Sequence, residues 1–366
     1  MPTTNTMHKI VFKVEKLATS AITRASRGTL ILVIDDKNVQ GLKTYTKLKN
    51  VTDNYEDKNK AYITKAFTDY KVKKVMVASG HDADNGIIGS IDGSLTLLNK
   101  VAENGWLVCP QIDQDSEKKK VSDFIKMQRN EEDYPIKSVL YNYSADNEGI
   151  VNFTGEGMEN SKGETIDPED YLVDVACYLC TLGANEGITN HTALNTVKCD
   201  AKSDNDASVA NGELFLYNNG INIVFSRGVN SKTTLGENDS VALTKIRVVE
   251  IIDMVKSDVR TIMNEKYIGK IGNSYSNRKT VINTLNNYLG TLTTQGYLSN
   301  DEDDLSYAEL DVDATRNYLE SQGTDTEEMT DEEVLRARLG SYMFIKIVLK
   351  VMDVIEDIEI VLQYVI

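Results

Sequence analysis

Runs of apolar residues alternate with polar segments along the first 143 residues. Ile10, Phe12 and Val14 share one side of an extended stretch, and the continuous run Thr29–Ile34 is typical of a strand buried inside a sheet. The spacing predicts further strands at 74–78, 106–109 and 136–143 and helices at 59–70, 95–104 and 116–128, with Gly105 ending the second helix. Strands that alternate with helices are typical of βαβ units, so we predict an α/β domain with a mostly parallel sheet.

The middle of the chain contains one helix and one hairpin in otherwise irregular sequence. Beyond Gly149 the chain is rich in glycine until Asp167-Pro168 begins a helix that we expect to end at Gly183. Proline suits the first turn of a helix, where its missing N–H leaves no hydrogen bond unmade. Leu214–Tyr217 and Ile221–Phe225 flank an Asn-Asn-Gly turn, which predicts a β-hairpin.

Helical spacing of apolar residues dominates the chain from residue 239 onward. Asp239-Ser240 is predicted to cap a long helix, and a second helix is expected from Ser276 to Gly296. The remaining predicted elements are two short helices and a strand, at 313–321, 330–339 and 342–350. Helices first and a strand afterwards indicate a second domain of the α+β class.

The chain ends in an extended, apolar segment. Side chains that alternate along its last nine residues would share one face, and they are Ile358, Ile360, Leu362, Tyr364 and Ile366. The open edge of such a strand can recruit another chain, because its backbone N–H and C=O groups are unpaired. Two interpretations remain open: the strand completes a sheet of its own subunit, or it is donated to a neighbouring subunit.

Most of the net charge of −16 comes from one segment of the chain. Residues 301–333 carry 14 acids and a single base, Arg316, whereas the rest of the chain has 42 acids and 39 bases. Without a basic patch, nucleic acid is not the expected partner. Charges interrupt every apolar run well before the roughly 18 residues of a membrane span, and the polar start lacks the apolar core of a secretion signal. We therefore expect synthesis as a cytoplasmic protein.

Four cysteines raise the question of a metal site. Cys177 and Cys180 form a C-x-x-C motif, and His191 and Cys199 lie downstream. Both cysteines of the motif fall inside a predicted apolar helix, and the spacing to the other two residues is irregular for zinc. Small buried hydrophobic residues are the favoured interpretation, and we predict no metal site.

The segment His81–Asn85 is the one place where an enzyme site suggests itself. It follows a predicted strand, and α/β enzymes place their sites at that edge of the sheet. The alternative function is therefore a cytoplasmic α/β enzyme with a site near His81–Asn85. A solvated turn is the more usual explanation for these residues, and the chain carries no phosphate-loop, nucleophile-elbow or zinc-protease motif. No catalytic residue or cofactor is predicted.

Short motifs follow one another in a fixed order through nearly the whole chain. They are HKIVFK at 8–13, AITRASRG at 21–28, GELFLYNNG at 212–220, RGVNS at 227–231, IIDMV at 251–255, YIGKIGN at 267–273 and MDVIED at 352–357. Their joint order resembles the contractile tail sheath proteins of prophage-like particles, R-type bacteriocins and tailed phages of Gram-positive bacteria. Ser231-Lys232 departs from the Ser-Leu of that pattern, which affects local packing only.

The resemblance implies an outer α/β domain and an inner α+β domain, with terminal β-strand arms that pair with neighbouring subunits. The inner domain holds both chain ends. The implied division is an N-terminal arm and linker at 1–24, the outer domain at 25–235, the inner domain at 236–346 and the C-terminal arm at 347–366. The implied contact residues are Ile10, Phe12 and Val14 in the first arm and Ile358, Ile360, Leu362, Tyr364 and Ile366 in the second.

The resemblance also implies a structural, non-enzymatic function. Sheath subunits stack as sixfold rings around a tail tube in a metastable extended array, whose contraction drives the tube through the target envelope. The implied partners are further copies of the chain, the tail tube protein, and baseplate and tail-terminator proteins at the ends, with no nucleic acid, membrane insertion or cofactor. The implied location is the cytoplasm of the bacterial host during assembly and a phage tail or tail-like particle afterwards.

The acidic segment 301–333 has two interpretations in such a particle. Its charges could be a solvated surface, or one of its helices could contact the tube or an adjacent sheath subunit. The candidate contact residues are Glu327, Glu328, Asp331 and Glu332.

Overall fold

The structure is a computed structural model, and it describes residues 28–364 except 85, 100, 102, 103, 184 and 238; at 86–88 it describes the backbone only. The expected N-terminal arm, with Ile10, Phe12 and Val14, and the last expected contact residue, Ile366, lie outside the described residues. Predictions for them stay predictions.

A seven-stranded sheet organises the first part of the described chain, in the order β2-β3-β1-β4-β5-β6-β7. The strands are β1 Thr29–Asp35, β2 Gly41–Tyr45, β3 Lys74–Gly80, β4 Gly105–Val108, β5 Lys137–Tyr141, β6 Ile150–Phe153 and β7 Glu213–Leu214. All pairings are parallel except that of β2 with β3. The predicted α/β domain with a mostly parallel sheet is confirmed.

Helices cover both faces of this sheet. They are α1 Asp57–Thr68, α2 Gly86–Leu98, α3 Asp115–Asn130 and α4 Pro168–Thr181, followed by the short α5 Asn205–Ala210. Successive residues of β1 point to opposite faces, so Leu30 and Leu32 pack in a core with α1 and α4. Ile31 and Val33 pack on the other face with α2 and α3. The continuous apolar run of β1 follows from its burial on both sides.

A small hairpin lies beside the edge of the sheet. It consists of β8 Leu216–Asn218 and β9 Ile223–Phe225, which pair antiparallel across a turn at 219–222, so that the first Asn of the Asn-Asn-Gly sequence belongs to the strand. The hairpin was predicted, but its first strand begins later than expected because Leu214 belongs to β7 of the main sheet.

Two long helices and a two-stranded sheet form the C-terminal part. Its elements are α6 Ile246–Lys266, α7 Tyr275–Thr294, β10 Tyr307–Leu310, α8 Val312–Ser321, α9 Asp331–Arg336 and β11 Ile345–Val348. Ile251, Ile262, Leu285 and Leu289 pack in the core between α6 and α7, and apolar residues around β11 cover it. A smaller core around Leu319 and its neighbours holds α8 and α9 together.

One helix prediction was wrong because a glycine was misread. The expected helix 95–104 is instead α2, which ends at Leu98, and Gly105 begins β4. A Cβ atom at Gly105 would lie 2.7 Å from the carbonyl oxygen of Thr29, so glycine here permits close strand pairing and does not end a helix.

Several short elements were missed or misplaced. Strands β2, β6 and β10 lie where no strand was expected, since four or five residues give little periodicity. Ser240 caps a 3-10 turn at Val241–Thr244, and the long helix begins only at Ile246. The strand expected at 342–350 is limited to Ile345–Val348.

Candidate assembly surfaces

The C-terminal arm leaves the body of the protein directly after the two-stranded sheet. Val351 forms an isolated antiparallel bridge with Leu298, and the Met352 N–H donates to the Tyr297 carbonyl at 3.1 Å. Beyond this bridge we distinguish two segments, the arm stem at 352–357 and the arm tip at 358–364. The stem is bound to the body by ion pairs and hydrogen bonds and the tip is not, although Ile355 of the stem is also 84% exposed.

The arm stem is bound to the body by charged groups. Asp353 pairs with Lys245, whose ammonium also lies 3.3 Å from Glu356. Glu356 accepts a hydrogen bond from the Thr189 hydroxyl at 2.5 Å, and both carboxylate oxygens of Asp357 accept from Arg227 at 2.5 and 2.6 Å. The Asp357 carboxylate raises the pKa of Arg227. Burial lowers the pKa of Lys245, but Asp353 and Glu356 raise it above its usual value, so the cation is retained.

The arm tip makes no comparable contacts. Ile358, Ile360, Leu362 and Tyr364 are 75%, 73%, 87% and 84% exposed, and no residue of 358–364 belongs to a strand. Residues 358–364 therefore do not complete a sheet of their own subunit in this structure. Large apolar side chains in a contiguous exposed row are typical of a surface that another chain covers.

An apolar groove lies along α6, between the β11 strand and Asp133 of the loop after α3. Its volume is about 460 Å³. Its floor is formed by the half-buried row Ile252, Val259 and Met263 of α6, and β11 contributes one wall through Ile347 and the following Leu349. Lys256 and Arg260 lie on the rim, where both pair with Asp133.

Strand β11 borders this groove with an open edge. On its other edge β11 pairs with β10, from Tyr307↔Val348 to Leu310↔Ile345. Within the described residues no second strand pairs with β11. An open edge beside an apolar groove offers a third strand both backbone hydrogen bonds and side-chain burial.

The apolar side of the long helix is wider than its core contact requires. Its periodicity alone did not show which of its residues form the core and which form the groove. In the sequence, the spacing of Ile252, Val255, Val259 and Ile262 places all four on one side of the long helix. Val255 and Ile262 are buried in the core with α7, whereas Ile252 is half-buried in the groove. Val255 and Val259 touch both surfaces, since each lines the groove and Val259 also packs against the edge of the core. An apolar side wider than one neighbouring helix can cover indicates a second contact surface.

The acidic segment is folded and partly paired. Arg316 contacts Asp331 at 3.0 Å and holds the carbonyl of Thr326 at 2.6 Å, and Arg336 pairs with Glu332 at 2.6 Å. Within the described residues, no ion pair involves Glu327 or Glu328, and both are exposed. The helices expected here are α8 and α9, and Thr330 caps α9 through a capping box with Glu333.

Polar side chains near His81 satisfy one another at the carboxyl edge of the sheet. The Nδ1 atom of His81 lies 2.8 Å from Asp35, and the Ser90 hydroxyl donates to the same carboxylate oxygen at 2.9 Å. Ser90 also accepts from the Asp82 N–H at 3.0 Å. Ser90 therefore contacts Asp35 and not the imidazole, so the geometry is that of a braced turn rather than of an activated nucleophile.

The C-x-x-C cysteines lie in the core. Cys177 and Cys180 are buried within α4, and the Cys180 thiol donates to the Thr29 carbonyl at 3.2 Å. Burial raises the pKa of both thiols, so they are protonated, unreactive side chains. Within the described residues no group of three or more His, Cys, Asp or Glu residues is arranged to hold a metal ion. None of the helices in the described part of the chain is long and apolar enough to cross a bilayer.

The described chain combines a mostly parallel α/β sheet with two long helices and a small antiparallel sheet, which is a mixed α/β fold. Solved sheath proteins share this fold. The sheath tail protein of Desulfitobacterium hafniense has a TM-score of 0.64 at 16% identity, with 83% of this chain and 93% of that chain covered. The contracted helical sheath of the anti-feeding prophage has a TM-score of 0.65 at 13% identity, with 92% of each chain covered.

Sequence comparison gives the family. Residues 238–363 match the phage tail sheath C-terminal domain. The tail sheath protein of Clostridium phage phiCD119 is 32% identical over 359 residues, which cover 95% of this chain and 97% of that protein. The chain therefore belongs to the phage tail sheath proteins. The family resemblance seen in the sequence is confirmed, and the homology indicates a structural role.

Proposed function

We propose that this chain is the structural subunit of a contractile sheath in a phage tail or tail-like particle. It polymerises as stacked sixfold rings around a tail tube, in a metastable extended state whose contraction drives the tube through the target envelope. The observation that carries the proposal is that one chain has both an exposed apolar arm tip and an apolar groove beside the open edge of β11. Two complementary surfaces on one subunit produce a head-to-tail assembly when they engage in trans, which closes into a ring or continues as a helix according to the rotation between subunits.

The proposed joint is strand donation from the arm tip to β11 of a neighbouring subunit. A strand added at the open edge would continue the β10–β11 ladder and lie over the α6 groove. Its alternate side chains, Ile358, Ile360, Leu362 and Tyr364, would then face Ile252, Val259 and Met263. Full burial of each such aliphatic side chain contributes about 1.5–3 kcal/mol before the cost of association is subtracted.

The N-terminal arm is proposed to act in the same way through Ile10, Phe12 and Val14. With one arm at each end, a subunit joins the sheets of two neighbours as well as receiving their strands. We keep the proposed division into arms at 1–24 and 347–366, an outer domain at 25–235 and an inner domain at 236–346. We add that the part of the C-terminal arm beyond the sheet begins at Met352, because residues 347–351 are held in β11 and by the bridge of Val351 to Leu298. The buried residues of the core between α6 and α7 lie within 236–346, whereas Ile347, Leu349 and Val351, which pack against that core, lie within 347–366.

The proposed energy source is the assembly itself. Backbone-paired arms keep subunits connected while the bodies rotate, so an array with two arrangements can move between them without dissociating and without nucleotide hydrolysis. Under this proposal the partners are other copies, the tail tube protein, and baseplate and tail-terminator proteins at the ends. Assembly takes place in the cytoplasm of the bacterial host.

Deletion of Ile358–Ile366 tests the proposal. We expect the truncated protein to keep its circular dichroism spectrum and to remain a small species, whereas the full chain forms long tubes by negative-stain electron microscopy. Normal long sheaths from the truncated protein would show that strand donation is wrong.

A matched pair of substitutions locates the effect on one face of the tip. Leu362→Glu places a charge in the row that would enter the groove and is expected to prevent polymerisation. Gln363→Glu adds the same charge one residue later, on the opposite face of an extended strand, and is expected to assemble. Equal behaviour of the two variants would contradict pairing in this register.

A further inference from the structure

The arm stem is bound by cations that come from two different parts of the subunit. Arg227 follows β9 at the side of the sheet domain, and its guanidinium contacts Asp357 at 2.5 and 2.6 Å. Lys245 precedes α6 and contacts Asp353 and Glu356. The stem thus bridges the sheet domain and the start of the long helix.

Backbone and apolar contacts add to these ion pairs. Arg247 donates to the Met352 carbonyl from Nε at 3.1 Å and from Nη2 at 3.0 Å, and it also donates to the Glu186 carbonyl at 3.1 Å. Val354 lies over Gly187, where its Cγ2 would be 3.2 Å from a Cβ atom built on the glycine. A small residue at 187 lets the stem approach the loop closely.

The contacts stop abruptly at the boundary between stem and tip. The side chain of Glu356 is 8% exposed, whereas Ile358, two residues later, is 75% exposed. Asp357 is the last residue for which the structure gives an ion pair to the body. A chain that is fixed up to one residue and unsupported from the next bends most easily at that point.

We propose that Arg227, Lys245 and Arg247 are positioning residues for the arm: they clamp the stem, so that the tip leaves the subunit in a fixed direction and bends at residues 357–359. This inference rests on the proposed strand donation and adds to it the place of the hinge. The clamp stays closed in both arrangements of the array, and subunit rotation is accommodated beyond it rather than at the 351–352 junction with the sheet.

A disulfide across the clamp tests whether it stays closed. In a relaxed disulfide, the Cβ atom of one cysteine lies about 3 Å from the Sγ atom of the other cysteine. The 3.2 Å between Val354 Cγ2 and a Cβ at Gly187 matches that requirement, and the backbone of Gly187 is not in the left-handed region. The variant is Gly187→Cys with Val354→Cys, and each single substitution serves as control for the native thiols.

Particles carrying the double variant are compared in oxidised and reduced form, with the crosslink verified by peptide mass mapping. We expect both forms to assemble around the tube and to shorten equally by electron microscopy after the same trigger. Oxidised particles that fail to assemble or to contract, while the reduced ones succeed, would overturn the proposal. Failure of the crosslink to form would overturn it as well, because the stem would then not lie where the clamp requires.

A charge exchange tests whether the ion pairs set the direction of the arm. Arg227→Glu and Asp357→Arg each place like charges together, and each is expected to reduce the polymerised fraction at least several-fold. The double exchange restores an attractive pair and is expected to recover most of that loss. Singles that polymerise normally, or a double variant as poor as the worse single, would contradict a positioning role for Arg227.

The two proposals fail in distinguishable ways. If removal of 358–366 abolishes polymerisation and the crosslinked particles do not contract, donation stands and the closed clamp is wrong. If the protein without 358–366 still forms sheaths, donation itself is wrong, whatever the crosslink does.

Discussion

The guanidinium of Arg129 lies 2.7 Å from the carboxylate of Asp253, although 124 residues separate them in the sequence. Arg129 comes from α3 of the sheet domain and Asp253 from the long helix α6, and both side chains are buried. Lys137 of β5 joins the same cluster, at 3.4 Å from Asp253 and 3.2 Å from Glu250. The sheet and the long helix α6 are therefore joined by buried charged groups, and Ile246 of α6 also packs in the core beside β1.

Breaking this pair from one side should destabilise the protein strongly. Asp253→Leu leaves two buried cations short of a carboxylate, and Arg129→Met leaves the carboxylates in excess. Each is expected to lower the free energy of unfolding by about 3–5 kcal/mol, while the double variant loses much less than the sum. Denaturant unfolding followed by circular dichroism measures the differences.

The control is the exposed pair Lys119–Asp123 on α3. Lys119→Met removes a similar ion pair from a solvated surface, where screening leaves it little influence on stability. An effect as large as that of Asp253→Leu would mean that burial is not what makes the Arg129 pair important.

A buried carboxyl group in the α6–α7 core should make stability depend on pH. Burial raises the pKa of Asp258 to about 7, and the Tyr288 hydroxyl, which donates to it at 2.5 Å, offsets only part of that rise. An acid with a higher pKa in the folded than in the unfolded state binds its proton more tightly when folded. The free energy of unfolding therefore falls as the pH rises from about 4 to about 7, and this contribution is constant above that range.

Asp258→Asn removes the titrating group and should flatten this slope. Between pH 4 and pH 8 the difference in free energy of unfolding from the parent should shift in favour of the variant by at most about 4 kcal/mol. Tyr288→Phe is the companion variant, and loss of the donor should move the transition to higher pH. An unchanged slope in Asp258→Asn would show that Asp258 does not titrate in this range.

Local patterns predicted those elements whose signal lies within a few neighbouring residues. Thr29–Ile34 reads as a buried strand because both of its faces are covered, and Asp167-Pro168 marks the start of α4 because capping chemistry is local. Gly105 was misread because its reason is the distant Thr29 carbonyl, which no local pattern reveals.

The candidate surfaces divide in the same way. Apolar residues alternate from Ile358 to Tyr364 in the sequence, so the apolar tip could be predicted. The groove and the clamp could not be predicted in this way. The groove requires Ile347 to lie beside Val259, and the clamp requires Arg227 to lie beside Asp357, 130 residues away in the sequence. Pairings over such separations depend on the folded chain rather than on a sequence pattern.

A charge in the groove should block assembly while the subunit stays folded, at some cost in stability because Val259 also packs at the edge of the α6–α7 core. Val259 is half-buried in the groove, so Val259→Asp would meet the apolar side chains of the donated strand. An unpaired carboxylate buried there is strongly unfavourable, and we expect the variant to remain unpolymerised in sedimentation. Asn287→Asp adds the same charge at an exposed position of α7 and is expected to polymerise. Normal sheaths from Val259→Asp would show that the groove is not the acceptor.

The acidic segment should influence assembly around the tube through its unpaired members. We hypothesise that Glu327 and Glu328, with Asp331 and Glu332, contact the tube or an adjacent subunit. Because Asp331 and Glu332 already pair with Arg316 and Arg336, reversing them also removes internal contacts. The cleaner variant is Glu327→Lys with Glu328→Lys, which leaves those pairs intact.

Co-assembly with the tube protein should be weaker for this double variant than for the parent, and weaker still for the fourfold reversal to Lys. Raising the ionic strength of the parent from about 0.1 M to about 1 M shortens the screening length from about 10 to about 3 Å, and it should act in the same direction. Glu131→Lys with Glu132→Lys makes the same charge change at exposed positions after α3 and serves as the control. If the double variant and the fourfold reversal both coat tubes as the parent and the control do, these acids serve solubility and make no specific contact.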